Sequence, residues 1–386
     1  MLNRTKLHQK MNTSDAVVKQ QDFCYDTVLR DTWKKIAEDT DFYLHTQEAE
    51  ALFSVPSWQG DLSNYSLVKK YKDQYSVLGI DGSQVYPDRH QLYVQQALIN
   101  IGGISIEYGS EDPVSVFSEP ELFSLYRLNE YKEQVVVTTE WINLEREARE
   151  FEVAVEKALA MKKKGCKQLV ILFDGTLLFY HLISVNEKDR QHFFDRYCKA
   201  LQILTDHAIP FASYLSAPQS KDLINLVKLG LCQFKRANCR PCREAYDTVP
   251  CEIVDNLSDR QLMSAVLPCL HRSIFFRPAS LHSLQYPESL QPYFSYYHGA
   301  QEVGRIEMPA WVIQDPIKSD LVYQVVVDQI EKGYGYPVVL AEAHEQAVVK
   351  QADKEYFYQV CARQASDQNL AIQYSEKSIK KRQMPY

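Results

Sequence analysis

The sequence is poor in the features that mark several protein classes. Its apolar runs, such as LVILF at 169–173, stop far short of the ~18 residues a membrane span needs. The opening stretch MLNRTKLHQKMNTSDAVVKQ is polar and lacks the apolar centre of an export signal. A soluble, cytoplasmic protein with no membrane contact is therefore expected. Only 13 Gly and 16 Pro stand among 386 residues, which excludes collagen-like and low-complexity chains. No internal repeat is visible. Cations are in deficit, 43 Lys and Arg against 50 Asp and Glu, for a net charge of −7. That balance argues against a protein that coats nucleic acid non-specifically. It leaves room for an enzyme that gathers carboxylates around metal ions. Nine cysteines, an odd count without an export signal, are expected to be mostly reduced thiols.

What is present is a globular composition, 45% apolar and 12% aromatic, long enough for roughly two to three domain equivalents. Residues 1–70 read as a mainly helical extension. From residue 75 the texture changes: YSVLGIDGS predicts a buried strand closed by a tight turn. QLYVQQALINIGG and ISIEYG predict two further strands connected at Gly102–Gly103, and residues 111–140 an irregular excursion. Residues 143–164 give the clearest helix, with Leu144, Ala148, Phe151, Val155 and Leu159 at helical spacing. LVILFDG is a strand of the kind buried on both faces, followed by a helix near 186–206 and the strand IPFASYLS. Three strands, helix, strand, helix, strand is the order of an α/β protein with a ribonuclease H-like mixed sheet flanked by helices. The core spans 71–370, carries a cysteine-bearing insertion at 232–270, and ends in a basic tail at 371–386.

Two strand ends carry an acid beside glycine: Asp81 in LGIDGS and Asp174 in VILFDGTLL. Asp-Gly is a common turn dipeptide, but two such turns closing two apolar strands point to a shared carboxylate site at the sheet rim. FDGTL also resembles a haloacid-dehalogenase phosphatase signature. That chemistry needs a nucleophilic Asp two residues earlier, where Leu172 stands, so the reading fails. The helix before Asp174 offers a third acid. The strand Gln168–Asp174 covers ~20 Å at ~3.3 Å per residue, which an antiparallel helix matches in ~13 residues. Counting back from Lys163 reaches residue 150, and helical phase favours Glu152, on the apolar arc, over Glu156. A carboxylate on an apolar stripe needs a partner or a metal. Three such carboxylates suit Mg²⁺ or Mn²⁺, with two ions acting on a phosphodiester. His344 in GYGYPVVLAEAHEQAVV, with Tyr336 before Pro337, is a further candidate as ligand or proton donor.

LGIDGS, the Arg- and Glu-rich helix followed by LVILFDGTLL, RIEMPAWV and above all GYGYPVVLAEAHEQAVV resemble the NurA nuclease family over roughly residues 75–365. The resemblance implies a ribonuclease H-like fold and a Mn²⁺-dependent nuclease acting on single-stranded DNA and DNA ends, resecting 5′→3′ in double-strand break repair. It further implies a homodimer working with the hexameric ATPase HerA. By motif, Asp81, Asp174 and His344 correspond to metal-site residues and Tyr336 to an active-site tyrosine. The family's helix glutamate is assigned to Glu152 on geometry, with Glu156 in reserve.

The acidic balance leaves any DNA path to local cations: Arg305, Lys350 and the 235–243 cluster. In the insertion, Cys232, Cys239, Cys242 and Cys251 include one C-x2-C pair, where a zinc site would want a second. A basic loop with reduced thiols is therefore expected over a zinc or iron–sulfur centre. Tyr293, Tyr296 and Tyr297 are expected to pack on a sheet rather than stack on unpaired bases. Two rivals remain: a non-catalytic adaptor for a DNA translocase, and a ribonuclease on the same core.

Overall fold

A computed structural model describes residues 3–18, 22–71, 73–87, 96–111, 113–124, 126–128, 134–233, 236–245, 249–279 and 285–367. The basic tail and Lys235 lie outside this set. The chain divides into two compact units. One comprises Met1–Lys69, Tyr214–Gln285 and Gln291–Met308; the other comprises Lys70–Ser213, Tyr286–Leu290 and Pro309–Tyr386. The expected N-terminal helical extension thus falls in the same unit as residues 214–285 and 291–308.

The second unit is built on the strands Ser76–Val85, Gln96–Glu107, Val114–Ser124, Leu169–Asp174 and the first three residues of Phe211–Leu215. Ser76–Val85 runs antiparallel to Gln96–Glu107, which runs antiparallel to Val114–Ser124. On its other side Ser76–Val85 runs parallel to Leu169–Asp174, whose far neighbour is Phe211–Leu215. Three antiparallel strands followed by a parallel neighbour, in spatial order 3-2-1-4-5, make this a ribonuclease H-like sheet. Its core gathers Leu78, Ile80, Ile99, Ile101, Ile171 and Phe173 with Phe151, Phe179 and Tyr197. Ring centroids lie 4.9 Å apart for Phe151–Phe173 and 4.6 Å for Phe179–Tyr197. Burying each such ring contributes ~2–3 kcal/mol.

The predicted connection at Gly102–Gly103 is corrected: both lie inside one continuous strand, Gln96–Glu107. Glycine is needed there for close approach rather than for a turn. A Cβ on Gly102 would meet the Ala347 backbone nitrogen at 2.2 Å, and one on Gly79 would meet the Val339 carbonyl at 2.4 Å. The helix Val338–Ala347 therefore lies directly on strand backbone. Its last carbonyls are satisfied from below, Asn100 Nδ2 donating to Ala347 O at 2.9 Å and the Ser83 hydroxyl donating to the same oxygen. The buried Asn100 is explained by this capping role.

The N-terminal end of that helix is held by Gln329, fully buried on the helix Pro316–Lys332. Its Oε1 accepts from Val339 N at 3.2 Å, and its Nε2 donates to the hydroxyls of Tyr75 at 2.9 Å and Tyr108 at 3.0 Å. Between the two helices, Tyr334 (φ 55°) and Gly335 (φ 120°) turn the chain and deliver Tyr336.

The long helix Thr139–Lys163 starts on a Thr138 cap, whose hydroxyl accepts from Trp141 N at 3.1 Å. It packs mainly on Ser76–Val85 and on the helix Glu187–Asp206.

In the first unit, Leu29, Trp33 and Ile36 of the helix Asp22–Glu38 share one core with Leu223, Leu226, Leu262, Phe276 and Phe294. The predicted insertion folds as the helix Cys239–Ala245, a 3₁₀ turn at Pro250–Val254 and the helix Asp259–Val266. Among the described residues, no helix is long and apolar enough to cross a membrane.

Candidate active site

Strand register brings the two Asp-Gly acids side by side. Ile80 pairs with Phe173 in the parallel ladder, so the next step sets Asp81 beside Asp174 on strands about 4.8 Å apart. Alternation fixes their common face. Leu78, Ile80, Ile171 and Phe173 point into the core under the long helix, so Asp81 and Asp174 point the other way. That is the face covered by the helix Val338–Ala347, where Gly79 meets Val339.

His344 on that helix places Nδ1 2.7 Å from Asp81 Oδ2, while Asp81 Oδ1 accepts from Gly82 N at 2.7 Å. The Tyr336 hydroxyl donates to Asp174. The Asp174 carboxyl is raised above its usual range, chiefly by loss of surrounding water and also by the Asp81 charge; the Tyr336 and Gly175 hydrogen bonds and His344 pull it back. The structure therefore gathers Asp81, Asp174, Tyr336 and His344, four residues from three distant stretches of sequence.

Glu152 is not among them. Its Oε1 accepts from Arg196 Nε at 2.8 Å and its Oε2 from Arg149 Nη1 at 2.8 Å. Arg196 also grips Glu145, at 2.7 and 3.0 Å. The seven-residue spacing of Glu145 and Glu152 puts both on the seam with the neighbouring helix. A carboxylate on the apolar arc needs a partner, and for Glu152 that partner is arginine. These bonds hold the Glu152 carboxyl below its ordinary range against the opposing effect of burial. Glu156, the reserve, is exposed.

The helix carboxylate within electrostatic reach of Asp81 is Glu150. A Cβ on Gly82 would lie 2.3 Å from Glu150 Oε1, so glycine at 82 is what admits this side chain. Arg146 pairs with Glu150 and also donates to Gly82 O at 3.3 Å. Burial pushes the Glu150 carboxyl up to about 8, Arg146 opposing, with the charges of Asp81 and Glu147 adding to the rise. Glu147, one turn back, accepts from the Tyr197 hydroxyl at 2.8 Å and contacts His181 Nε2 at 2.7 Å. Sequence reasoning missed Glu150 because it docked the helix against Leu169–Asp174. The signal available was the Arg146–Glu150 pair at i,i+4 beside a glycine-bearing strand end.

Arg305, proposed for the DNA path, is corrected. It is 3% exposed, donates to Asp222 at 2.7 Å and Glu307 at 2.8 Å, and lies 3.8 Å from the Phe294 ring centroid. A guanidinium so enclosed is a structural cation. Lys350 is exposed at the start of the helix Gln351–Asp367, and Arg240 and Arg243 are exposed as well. Tyr296 and Tyr297 are buried, and Tyr296 donates to Asp259 at 2.7 Å. The eight described cysteines are free.

Among the described residues no group of three or more His, Cys, Asp and Glu side chains forms a ready metal cage. The donors at Asp81 and Asp174 nevertheless fit a hard divalent cation. Mg²⁺ and Mn²⁺ keep several waters and use one or two carboxylates plus substrate phosphate, so two adjacent carboxylates suffice.

A ribonuclease H-like sheet with paired acids at the ends of its first and fourth strands defines the class: proteins that bring carboxylates to the rim of that sheet. The NurA domain model matches residues 75–349, and the chain belongs to the NurA nuclease family. No curated protein matches the sequence. Among solved structures it is similar to NurA with manganese, at 10% identity over 86% of this chain and 95% of that one, TM-score 0.34. A second NurA crystal structure aligns at 10% identity over 76% and 90%, TM-score 0.32. Marinitoga piezophila Argonaute in complex with 5′ OH guide RNA and target DNA aligns at 12% identity over 72% and 30%, TM-score 0.28.

Proposed function

We propose that this chain is a Mn²⁺-dependent DNA nuclease, with Mg²⁺ as the alternative ion, that hydrolyses phosphodiester bonds of single-stranded DNA and DNA ends. The observation that carries the reading is the adjacency of Asp81 and Asp174 on neighbouring strands, each braced by a separate side chain from beyond residue 330. Asp81 and Asp174 would hold the cations, two in number, with His344 at their edge and Glu150 as the helix carboxylate. When bound, such cations supply Lewis acidity at the scissile phosphate and a water acidified toward neutral pH.

The chain's own groups do the rest. Gly82 N and His344 fix the two oxygens of Asp81 in one orientation. The Tyr336 hydroxyl orients Asp174 and would position a nucleotide end. His344, 61% exposed, keeps its second ring nitrogen free to pass a proton to the departing oxygen. The exposed Lys350 offers a phosphate contact. A role in 5′→3′ end resection during double-strand break repair, as a homodimer beside a HerA-type ATPase in the cytoplasm, completes the proposal on family grounds.

The test is cleavage of end-labelled single-stranded DNA and RNA with Mn²⁺, Mg²⁺ or EDTA, beside Asp81→Asn. Degradation of DNA in Mn²⁺ that EDTA and the variant both abolish is expected. Equal cleavage by wild type and variant would overturn the assignment, cleavage of RNA alone would make it a ribonuclease, and inertness of both would leave the adaptor role.

A further inference from the structure

The predicted insertion carries Cys232, Cys239, Cys242 and Cys251, and the nuclease reading uses none of them. In sequence only one C-x2-C pair is visible, which is why a metal was not expected. The fold brings a third cysteine beside it. Cys239 and Cys242 lie one turn apart on the helix Cys239–Ala245, and Cys251 lies on the 3₁₀ turn Pro250–Val254. These three line one cavity of about 30 Å³ together with Lys228 and Arg243. That is the room of a single water or ion.

The arrangement is anchored from outside. Glu50 N donates to Ala237 O at 2.8 Å and Cys239 N donates to Glu50 O at 3.2 Å, pinning the start of the short helix. Cys232 follows the helix Asp222–Gly230, and its charge reaches both Cys242 and Cys251. Cys239 acts on the same two: loss of surrounding water raises both thiols, and the charges of Cys232 and Cys239 add to the rise. A cation among them would turn that repulsion into attraction and draw off the protons.

We propose that Cys232, Cys239, Cys242 and Cys251 are the ligands of a structural thiophilic metal centre, zinc or iron–sulfur, separate in chemistry from the acidic site. Soft thiolates select these metals over Mg²⁺ and Mn²⁺. Three of the sulfurs line one cavity, and among the described residues they form no ready metal cage. Closure comes with the metal, because ligand ordering and binding are coupled in such sites. Exposed Arg236, Arg240 and Arg243 around the segment offset the negative charge of a four-thiolate ion.

The test is elemental analysis of the full chain purified without chelator or added metal, alongside Asp81→Asn and the double variant Cys239→Ser/Cys242→Ser. About one zinc per chain, or iron with matching acid-labile sulfide and visible absorption, is expected in wild type and unchanged in Asp81→Asn. The serine variant should lose it. Should that variant fail to fold, a mercurial titration of wild-type thiols, with released zinc or iron read by a chromophoric chelator, gives the same answer. A wild type that is metal-free as isolated and takes up no added Zn²⁺ against the chelator overturns the proposal. So does a metal content unaffected by the serines or the mercurial. Neither result bears on the acidic site.

Discussion

Each compact unit holds a cluster of acids, and the two are balanced differently. In the first unit Asp222 and Glu307 share Arg305. Asp259 accepts from Leu223 N at 2.9 Å, Ile224 N at 2.8 Å and Tyr296 at 2.7 Å, at the positive end of the helix Asp222–Gly230. Every acid there has its donor within the chain. In the second unit Asp81, Asp174, Glu147 and Glu150 face one arginine, Arg146, and two histidines, His181 and His344. An acid cluster completed by its own protein is architecture. One left short of positive charge is what the proposed cation would complete.

The contrast can be broken most forcefully at Arg305. Arg305→Met strands two enclosed carboxylates and should cost ~3–5 kcal/mol in urea unfolding, whereas Asp81→Asn should leave the unfolding midpoint unchanged or raise it. Equal destabilisation by both would erase the distinction. A sharper, smaller comparison lies on the long helix. Glu150→Gln should lower metal-dependent cleavage ~10²-fold, about 2.7 kcal/mol, while Glu152→Gln should keep the turnover and lose stability through Arg196. The reverse pattern would restore the assignment made from spacing.

The gentlest probe is pH. Glu150, at about 8 in the fold, sits above the ordinary carboxylate value of 4.5 that it regains on unfolding. The folded chain therefore binds the extra proton between those values. Its contribution to stability is complete below 4.5 and is lost as pH rises through 8, with a slope of at most ~1.4 kcal/mol per pH unit. Thermal unfolding of metal-free protein across that window should show the decline, and Glu150→Gln should flatten it.

Much of the second unit was legible before any coordinates. The apolar strands ending in Asp81 and Asp174 declare themselves because burial on both faces removes polar alternation. The motif around Tyr336 and His344 is compact in sequence. What escaped was relational. The face a helix turns inward depends on which strand it packs against, and a local pair does not decide it: Arg146 precedes Glu150 by four residues as Arg149 precedes Glu152 by three. Arg305 reads as a free cation until Asp222, 83 residues away, is found beside it. Gly102–Gly103 reads as a turn because the helix that needs its bareness lies more than 230 residues downstream.

That bareness has a consequence for how the protein tolerates change. Gly79 and Gly102 carry no functional group, yet a single methyl at either would wedge the overlying helix upward and lift His344 from Asp81 with the strands still paired. A screen for inactive but well-folded variants should therefore return these two silent positions alongside the acids themselves.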